Sequence, residues 1–490
     1  MEALRKVVTQ LSEDSAQARP LCVSLDGALV RADLLWECVL LLVRKRPQLI
    51  FLLPIWMLGG RARLERAVTE RNVFDAATLP YRSELIEWLQ KNAEKGRRLV
   101  LVSATSPPIA EGVAQHLALF EEVVTCEGPA KADGADKRRS LEARFGMTGF
   151  DYVGSSDLVA LAGAHRAYVV GAGRPAVALA RSRGDKGEVL STRSSRLKAA
   201  VKAMRPHQWS KNGLVVVPVL LAPERPSLHL LLAAAAATLA FCFCASAGYV
   251  FNDLLDVEAD RAHRTKKSRP FASGDLPVTY GPPLFFLLVS ASVGVALAAG
   301  LPIEFFGMLG LYFAATLTYS LVLKSKLLLD VVMLAWLYTH RVLAGGIATR
   351  IPISTWLLAF SMFMFSSLAF AKRYIELRHS MSKGGQLKSR GYHTQDLEMV
   401  ASMGPTAGYL AVLVFCLYVD SNVVRERYHA PMLLWFVAPV LLYWISRVWF
   451  LAHRGRMQDD PVKFALTDPT SWLCGFLVAV VAVAARLWSH

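Results

Sequence analysis

The spacing of apolar and polar positions divides the chain in two. From about residue 20 to 183, short apolar runs ("LCVSLDGALV", "RRLVLVSATS", "FEEVVTC", "FDYVGSS", "RAYVVGA") are separated by segments of helical periodicity. That alternation predicts a parallel sheet in an α/β fold. Beyond residue 204, apolar stretches of roughly 17–22 residues, the length needed to cross a bilayer, alternate with short polar loops. Nine spans are predicted, at 212–223 (extended back through 205–211), 229–251, 281–300, 303–321, 329–348, 354–371, 404–420, 431–452 and 470–488. The expected architecture is an α/β domain over 1–185, a basic amphipathic linker over 186–204 and an all-α polytopic membrane domain over 205–490. The linker follows from "GDKGEVLSTRSSRLKAAVKAM", a polar stretch that becomes a basic amphipathic helix suited to an interface. One segment, "RPQLIFLLPIWMLGG", is apolar but too short to span and contains Pro54. It reads equally as a buried core helix and as a cap helix lying on the membrane surface or on the membrane half.

Composition sharpens this division. Of 490 residues 54% are hydrophobic, more than an ordinary soluble domain carries, and the excess lies in the second half. Lys and Arg crowd the loops after the even-numbered spans (Arg261 to Arg269, Lys324 and Lys326, Lys372 to Arg390, Arg454 to Lys463). The opposite loops hold only Arg225, Arg350, Arg425 and Arg427, so the basic loops and the N-terminal half are expected on the cytoplasmic side of an inner membrane. The net charge of +16 is then topology plus attraction to headgroups and phosphates, and requires no nucleic acid. The opening "MEALRKVVTQLSEDSAQARP" has acids and no apolar core, so no signal peptide is expected. Seven scattered cysteines without C-x-x-C spacing are assigned neither metal nor disulfide.

At the end of the second span stands "NDLLDVEADRAHRTKKSRP", in which Asp253, Asp256 and Asp260 precede Arg261, Arg264, Lys266, Lys267 and Arg269. At about 100° per residue the three carboxylates share an arc of about 60° on a helix. Carboxylates at membrane depth are costly unless paired or metal-bound, and Mg²⁺ takes one or two of them together with diphosphate oxygens. The competing reading is a solvated helix end followed by a positive-inside loop.

The motif resembles the N-D-x-x-D-x-x-x-D signature of the UbiA-type membrane prenyltransferase superfamily, a nine-helix fold. In most members a second aspartate-rich motif accompanies the first. Here the corresponding loop, "AKRYIELRHSMSKGGQLKSRGYHTQDLEMV", offers Lys372, Arg373, Arg378, Lys383, Lys388 and Arg390 instead. Together with "RPHQWSKN", "YSLVLKSKLLLDV", "HRVLAGG", "KRYIEL" and "DDPVKFALTDP", this is similar to the polyprenyl-phosphate phosphoribosyltransferase branch over 204–490, with Arg264 where proline is expected. The resemblance implies that phosphoribosyl diphosphate supplies a Mg²⁺-bound diphosphate and that a polyprenyl phosphate is the acceptor, in cell-envelope glycolipid synthesis. It assigns Asp253, Asp256 and Asp260 to the metal, and Asn252, Arg261, Lys266, Lys267 and Arg269 to the diphosphate. Lys324, Arg341, Lys372, Arg373 and Tyr374 fall to the sugar phosphate or the acceptor, and removing Lys372 or Arg373 is expected to impair phosphate use without loss of fold. Asp330 reads equally as a helix N-cap and as a catalytic group orienting a lysine or the ribose. Lys211 and Trp209 are placed at the lipid phosphate or as interfacial anchors. Asp459 and Asp460 are expected to face solvent or cap the last helix.

The first 185 residues resemble the haloacid dehalogenase superfamily of phosphatases, with departures on the chemistry. Ser24 stands at the nucleophile position, Asp26 at the acid/base, Ser103 and Lys137 at the phosphate, and Ser155 where a metal aspartate belongs. Hydroxyls in place of two carboxylates imply a degenerate, non-hydrolytic site. Three functions therefore compete: a phosphoribosyltransferase, an aromatic prenyltransferase, and a membrane-anchored protein that binds phosphorylated ligands. Polyprenyl chain length and homo-oligomerisation are left open.

Overall fold

The computed structural model describes residues 19–71, 75–126, 134–222, 226–263, 265–381, 391–457 and 461–487. The N-terminal peptide, Arg225, Arg264, Lys383, Lys388, Arg390, Asp459 and Asp460 lie outside the described residues. Two compact units are formed, Met1–Met204 with Tyr249–Phe285, and Arg205–Gly248 with Phe286–His490.

In the first unit, strands β1 (Leu21–Ser24), β2 (Leu99–Ser103), β3 (Glu122–Thr125), β4 (Asp151–Gly154), β5 (Ala167–Val169) and β6 (Gly187–Val189) form one parallel sheet in the order β3-β2-β1-β4-β5-β6. The central strands β1, β2, β4 and β5 are buried along their length because helices cover both faces, while the edge strands β3 and β6 are more open. Leu21, Val23, Leu99 and Leu101 enter one core, while Cys22, Val100, Val102 and Tyr152 enter the other, as the two-residue period requires. The sixth strand pairs Ala167 with Gly187 and was read as the start of the linker, since three residues are too few to show a period. It is followed by helix α1 (Arg196–Met204).

The order reverses direction between β1 and β4, so the loops after these two strands diverge and open a crevice at their carboxyl ends. Ser24 and Gly154 end those strands. The apolar segment after residue 46 is core on one side only: Trp56, Leu49 and Leu53 pack into the first unit's core, while Phe51 is 79% and Leu58 90% exposed, with Ile55 and Met57 also open. Trp56 is buried, with the Arg71 guanidinium over its ring at 5.4 Å.

Seven helical segments among the described residues are long and apolar enough to cross a membrane: Leu228–Leu255, Val278–Ala298, Leu329–Thr349, Thr355–Met381, Thr394–Asp420, Pro431–His453 and Pro469–Leu487. The chain is a multi-pass membrane protein. The other two predicted spans differ for separate reasons. Residues 206–220 form a 3-10 segment, Pro206–Val216, and a single α-turn, Val217–Leu220, in a stretch interrupted by Gly213 and Pro218. Ile303–Leu321 is a helix of 19 residues, but Glu304, Tyr312, Thr316, Thr318 and Tyr319 dilute its apolarity. Small residues let the second unit pack closely. A Cβ on Gly345 would lie 2.0 Å from the Val215 carbonyl oxygen, which explains the glycine of "LAGG". Gly404 similarly accommodates the Trp449 ring, whose Nε1 donates to Ser367 Oγ at 3.0 Å.

Candidate functional site

The helix Leu228–Leu255, here α2, ends inside the aspartate motif, and Asp256 (φ −99°, ψ 11°) separates it from a short helix, α3 (Val257–Ala262). The turn nonetheless continues through the bonds from Asp256 N to the Asn252 carbonyl (2.9 Å) and from Asp260 N to the Asp256 carbonyl (2.8 Å). The face predicted for the acids therefore persists. Asp253 and Asp260 are buried, and a single nitrogen, Arg269 Nη1, donates to both, at 3.1 and 2.6 Å. Two carboxylates converging on one nitrogen are arranged to share a cation.

The neighbouring bases divide. Arg261 gives Nη1 and Nη2 to Glu37 at 3.1 and 2.8 Å and Nε to the Ala272 carbonyl at 3.0 Å, so its fork ties this loop to the helix Leu34–Lys45. Lys266 and Lys267, in the 3-10 turn Lys266–Ser268, are exposed. Glu37 went unnoticed in the sequence because 224 residues separate it from Arg261.

The second unit holds the other expected residues, on helices α4 (Leu329–Thr349) and α5 (Thr355–Met381). Asp330 is 0% and Arg373 1% exposed, and Arg373 Nε lies 2.7 Å from Asp330 Oδ2. Tyr392 Oη donates to Asp330 Oδ1 at 2.8 Å, and Arg373 also pairs with Glu376 and reaches Tyr319 Oη at 3.5 Å. Burial and the Asp330 carboxylate push the Tyr392 phenol up, so it remains a donor. Asp330 is not a side-chain N-cap; Leu328 occupies that position with φ 62° and ψ −37°, and Leu329 N bonds to the Leu327 carbonyl at 2.7 Å. This is a γ-turn of positive φ, a strained conformation for leucine. Tyr392 Oη also accepts from Leu328 N at 3.2 Å.

Arg341 is buried among Asn212 Oδ1 (2.9 Å), Tyr312 Oη (2.8 Å) and the rings of Tyr312 and Tyr338. Tyr374 pairs with His453 Nδ1 at 2.9 Å, and Trp209 Nε1 donates to Ser246 Oγ at 3.0 Å. Lys211, Lys324 and Lys372 are half-exposed. The last helix is capped by Asp468, whose Oδ2 accepts from Ser471 N at 2.8 Å while Arg447 forks onto both its oxygens.

In the first unit, Ser24, Lys137 and an unanticipated residue, Asp157, meet at the crevice. Asp157 Oδ2 accepts from Ser24 Oγ (2.9 Å), Lys137 Nζ (3.1 Å) and Tyr152 Oη (2.8 Å), and Lys137 also donates to Ser24 Oγ at 2.9 Å. A carboxylate from the loop after β4 thus reaches the space above the shorter serine. Ser103 pairs with Thr105, whose Oγ1 donates to Asp26 Oδ2 at 3.4 Å. Burial raises Asp26 to about 6, opposed by Lys137. Ser155 Oγ bonds to the Gly171 carbonyl at 3.2 Å. The only sequence signal for Asp157 was its place two residues beyond Ser155 in "GSSD", where the family comparison fixes attention on position 155.

Among the described residues no three His, Cys, Asp or Glu side chains gather to hold a metal unaided. The crevice does not fit Mg²⁺, because Ser24 and Ser155 offer only hydroxyls and Asp157 Oδ2 is already held by Lys137, Ser24 and Tyr152. The Asp253–Asp260 pair does, because Mg²⁺ needs only one or two carboxylates when substrate phosphates complete its shell, and Arg269 already marks a cation position between them.

The pattern of the UbiA prenyltransferase family matches residues 214–477, and the chain belongs to that family. It is 34% identical over 473 residues to the uncharacterized protein y4nM of Sinorhizobium fredii, covering 95% of this chain and 91% of that one. It is 38% identical over 274 residues to the nodulation protein NoeC of Azorhizobium caulinodans, covering 56% and 88%. To a decaprenyl-phosphate phosphoribosyltransferase of Mycolicibacterium smegmatis it is 32% identical over 283 residues, covering 55% and 86%. A UbiA homolog from Archaeoglobus fulgidus, solved with DMAPP and Mg²⁺, is 15% identical with a TM-score of 0.44, over 59% of this chain and 99% of that one.

Proposed function

We propose that the protein transfers a 5-phosphoribosyl group from phosphoribosyl diphosphate to a polyprenyl phosphate, releasing diphosphate, at the cytoplasmic face of a membrane crossed by nine segments. The observation that carries this reading is the Asp253–Asp260 pair at one motif together with the bases Lys372, Arg373 and Arg378 at the other, where a prenyltransferase would have a second set of acids. The similarity to decaprenyl-phosphate phosphoribosyltransferases over most of their length supports it. In this reading Asp253, Asp256 and Asp260 hold Mg²⁺, which when bound neutralises the leaving diphosphate. Arg269 exchanges its two carboxylates for diphosphate oxygens, and Lys266 and Lys267 lie exposed beside it to do the same. The acceptor phosphate, already ionised, forms the new bond to the anomeric carbon as the carbon–diphosphate bond breaks, so no strong general base is needed. Half-exposed Lys372 and Lys324 meet the ribose phosphate or the acceptor, while Arg373 positions its helix through Asp330.

Residues 1–185 are read as a haloacid dehalogenase-like domain, joined through 186–204 to the transferase over 205–490. Purified protein offered radiolabelled phosphoribosyl diphosphate and Mg²⁺ is expected to label polyprenyl phosphate. Labelling of an aromatic acid from a prenyl diphosphate instead would replace this function with prenyl transfer.

A further inference from the structure

We propose that the crevice of the first unit is a second anion site, which binds the phosphate of a phosphorylated sugar at an arginine rim without hydrolysing it. The inference goes beyond phosphoribosyl transfer and does not depend on it.

The position is favourable for a ligand. The crevice lies outside the carboxyl ends of β1 and β4, where the strand order reverses, and encloses about 640 Å³, within the range of small-molecule sites. Its floor is closed to anions. Lys137 is neutralised by Asp157, whose Oδ2 already accepts three hydrogen bonds, and Asp26 stands beside them. A phosphate seated there would meet carboxylate first.

The rim is different. Arg31, Arg82, Arg193 and Arg196 line the same crevice, against Asp33, Glu84 and Asp275. Arg82 is fixed by its bonds to the Ala28 and Gly27 carbonyls, at 2.9 and 3.1 Å. Burial, Arg31 and Arg193 together pull Arg82 down to about 10, so these guanidinium groups feel one another's charge. Arg31 Nε and Arg196 Nε are buried donors with no acceptor among the described residues. An oxyanion between them would supply acceptors and relieve the repulsion. Arg196 is steadied from behind by the Tyr280 ring at 4.9 Å.

The sugar follows from the opposite imbalance. Asp26 Oδ1, which lines the same crevice, is a buried acceptor without a donor among the described residues, and a ligand hydroxyl would satisfy it. A ligand with acceptors at one end and hydroxyl donors at the other is a sugar phosphate, either free or as a lipid headgroup.

The test uses the full chain in detergent with Asp253→Asn and EDTA, which disables metal-dependent diphosphate binding. Ribose 5-phosphate in one arm and a short-chain polyprenyl phosphoribose in the other are titrated by calorimetry, with ribose as control. Arg193→Ala and Arg196→Ala are each expected to weaken binding by about tenfold or more, the loss of one charged hydrogen bond, with unchanged melting temperature. Arg196→Lys, which keeps the charge, should lose less. Equal affinity in the two arms identifies a soluble sugar phosphate, and tighter binding in the lipid arm a headgroup, provided the arginine variants abolish the preference. Binding that survives both alanine variants, or no binding of either ligand to the unsubstituted rim, overturns the proposal.

Discussion

The clusters at Asp253 and at Lys137 are built from the same parts, carboxylates around one basic side chain, and differ in how completely they are closed. Arg269 touches two acids through a single nitrogen and keeps 26% of its side chain exposed. Lys137 is 7% exposed, is matched by one carboxylate, and has Ser24 and Tyr152 completing the network. The first cluster has more negative charge than its own base can cancel and a base able to leave. In the second, the lysine is paired and the Asp157 Oδ2 it meets already accepts three hydrogen bonds. The first arrangement leaves charge for a ligand to complete, whereas in the second a carboxylate from the loop after β4 has completed the lysine's pairing.

The comparison breaks most sharply at the open cluster. If the proposed function holds, Asp253→Asn or Asp256→Asn should lower label transfer at least about a hundredfold and abolish Mg²⁺-dependent diphosphate binding, since the proposed metal site would lose a charged ligand. Near wild-type turnover in either would return the motif to a solvated helix end. A closed pair responds through stability instead. Arg373→Ala should cost about 3–5 kcal/mol in thermal or denaturant unfolding, because it leaves Asp330 charged and buried. Because Arg373 is buried and paired with Asp330, its removal would perturb the fold as well as phosphate use, and Lys372→Ala, half-exposed, is the cleaner probe of phosphate use through KM. Lys137→Met should cost about 3 kcal/mol by stranding Asp157, and Lys137→Met with Asp157→Leu should recover much of it.

Smaller effects sharpen the same contrast. Asp26, faced by Lys137, Asp33 and Asp157, has a folded pKa raised from 3.8 to about 6. Between those values the folded chain holds a proton that the unfolded chain has released. Its contribution to stability is full below the lower pH and lost as pH rises through the upper one. Asp26→Asn should therefore stabilise the first unit at pH 7 and not at pH 3.5, as read by hydrogen exchange. Least of all, Ser24→Ala should leave phosphatase activity at its negligible background. Robust hydrolysis by the wild type, lost on Asp26→Asn, would show that the crevice is catalytic.

The sequence disclosed periodicities and local motifs, and little of what closes over distance. The apolar runs at Leu21, Leu99 and Asp151 announced their strands, whereas Gly187–Val189 was too short to register. The acids across the end of α2 and α3 were legible as a face because helical geometry is local. Their convergence on Arg269 was not, nor was the diversion of Arg261 to Glu37, because a base beside an acid motif looks the same whether it serves a ligand or a distant helix. Asp157 was hidden by its neighbour, Ser155. The exposed Phe51 and Leu58 could not be told from core residues, since apolarity alone does not say what covers a side chain.

The turn at Leu328 gives the second unit a mechanical property. A residue bent this way holds about 1–3 kcal/mol like a compressed spring, and its catch is the Tyr392 hydroxyl, which grips both the Leu328 amide and the Asp330 carboxylate. The start of α4 is thus set by a tether some sixty residues away along the chain, and any movement of that tether is delivered to Asp330, and through it to Arg373, as displacement rather than as charge.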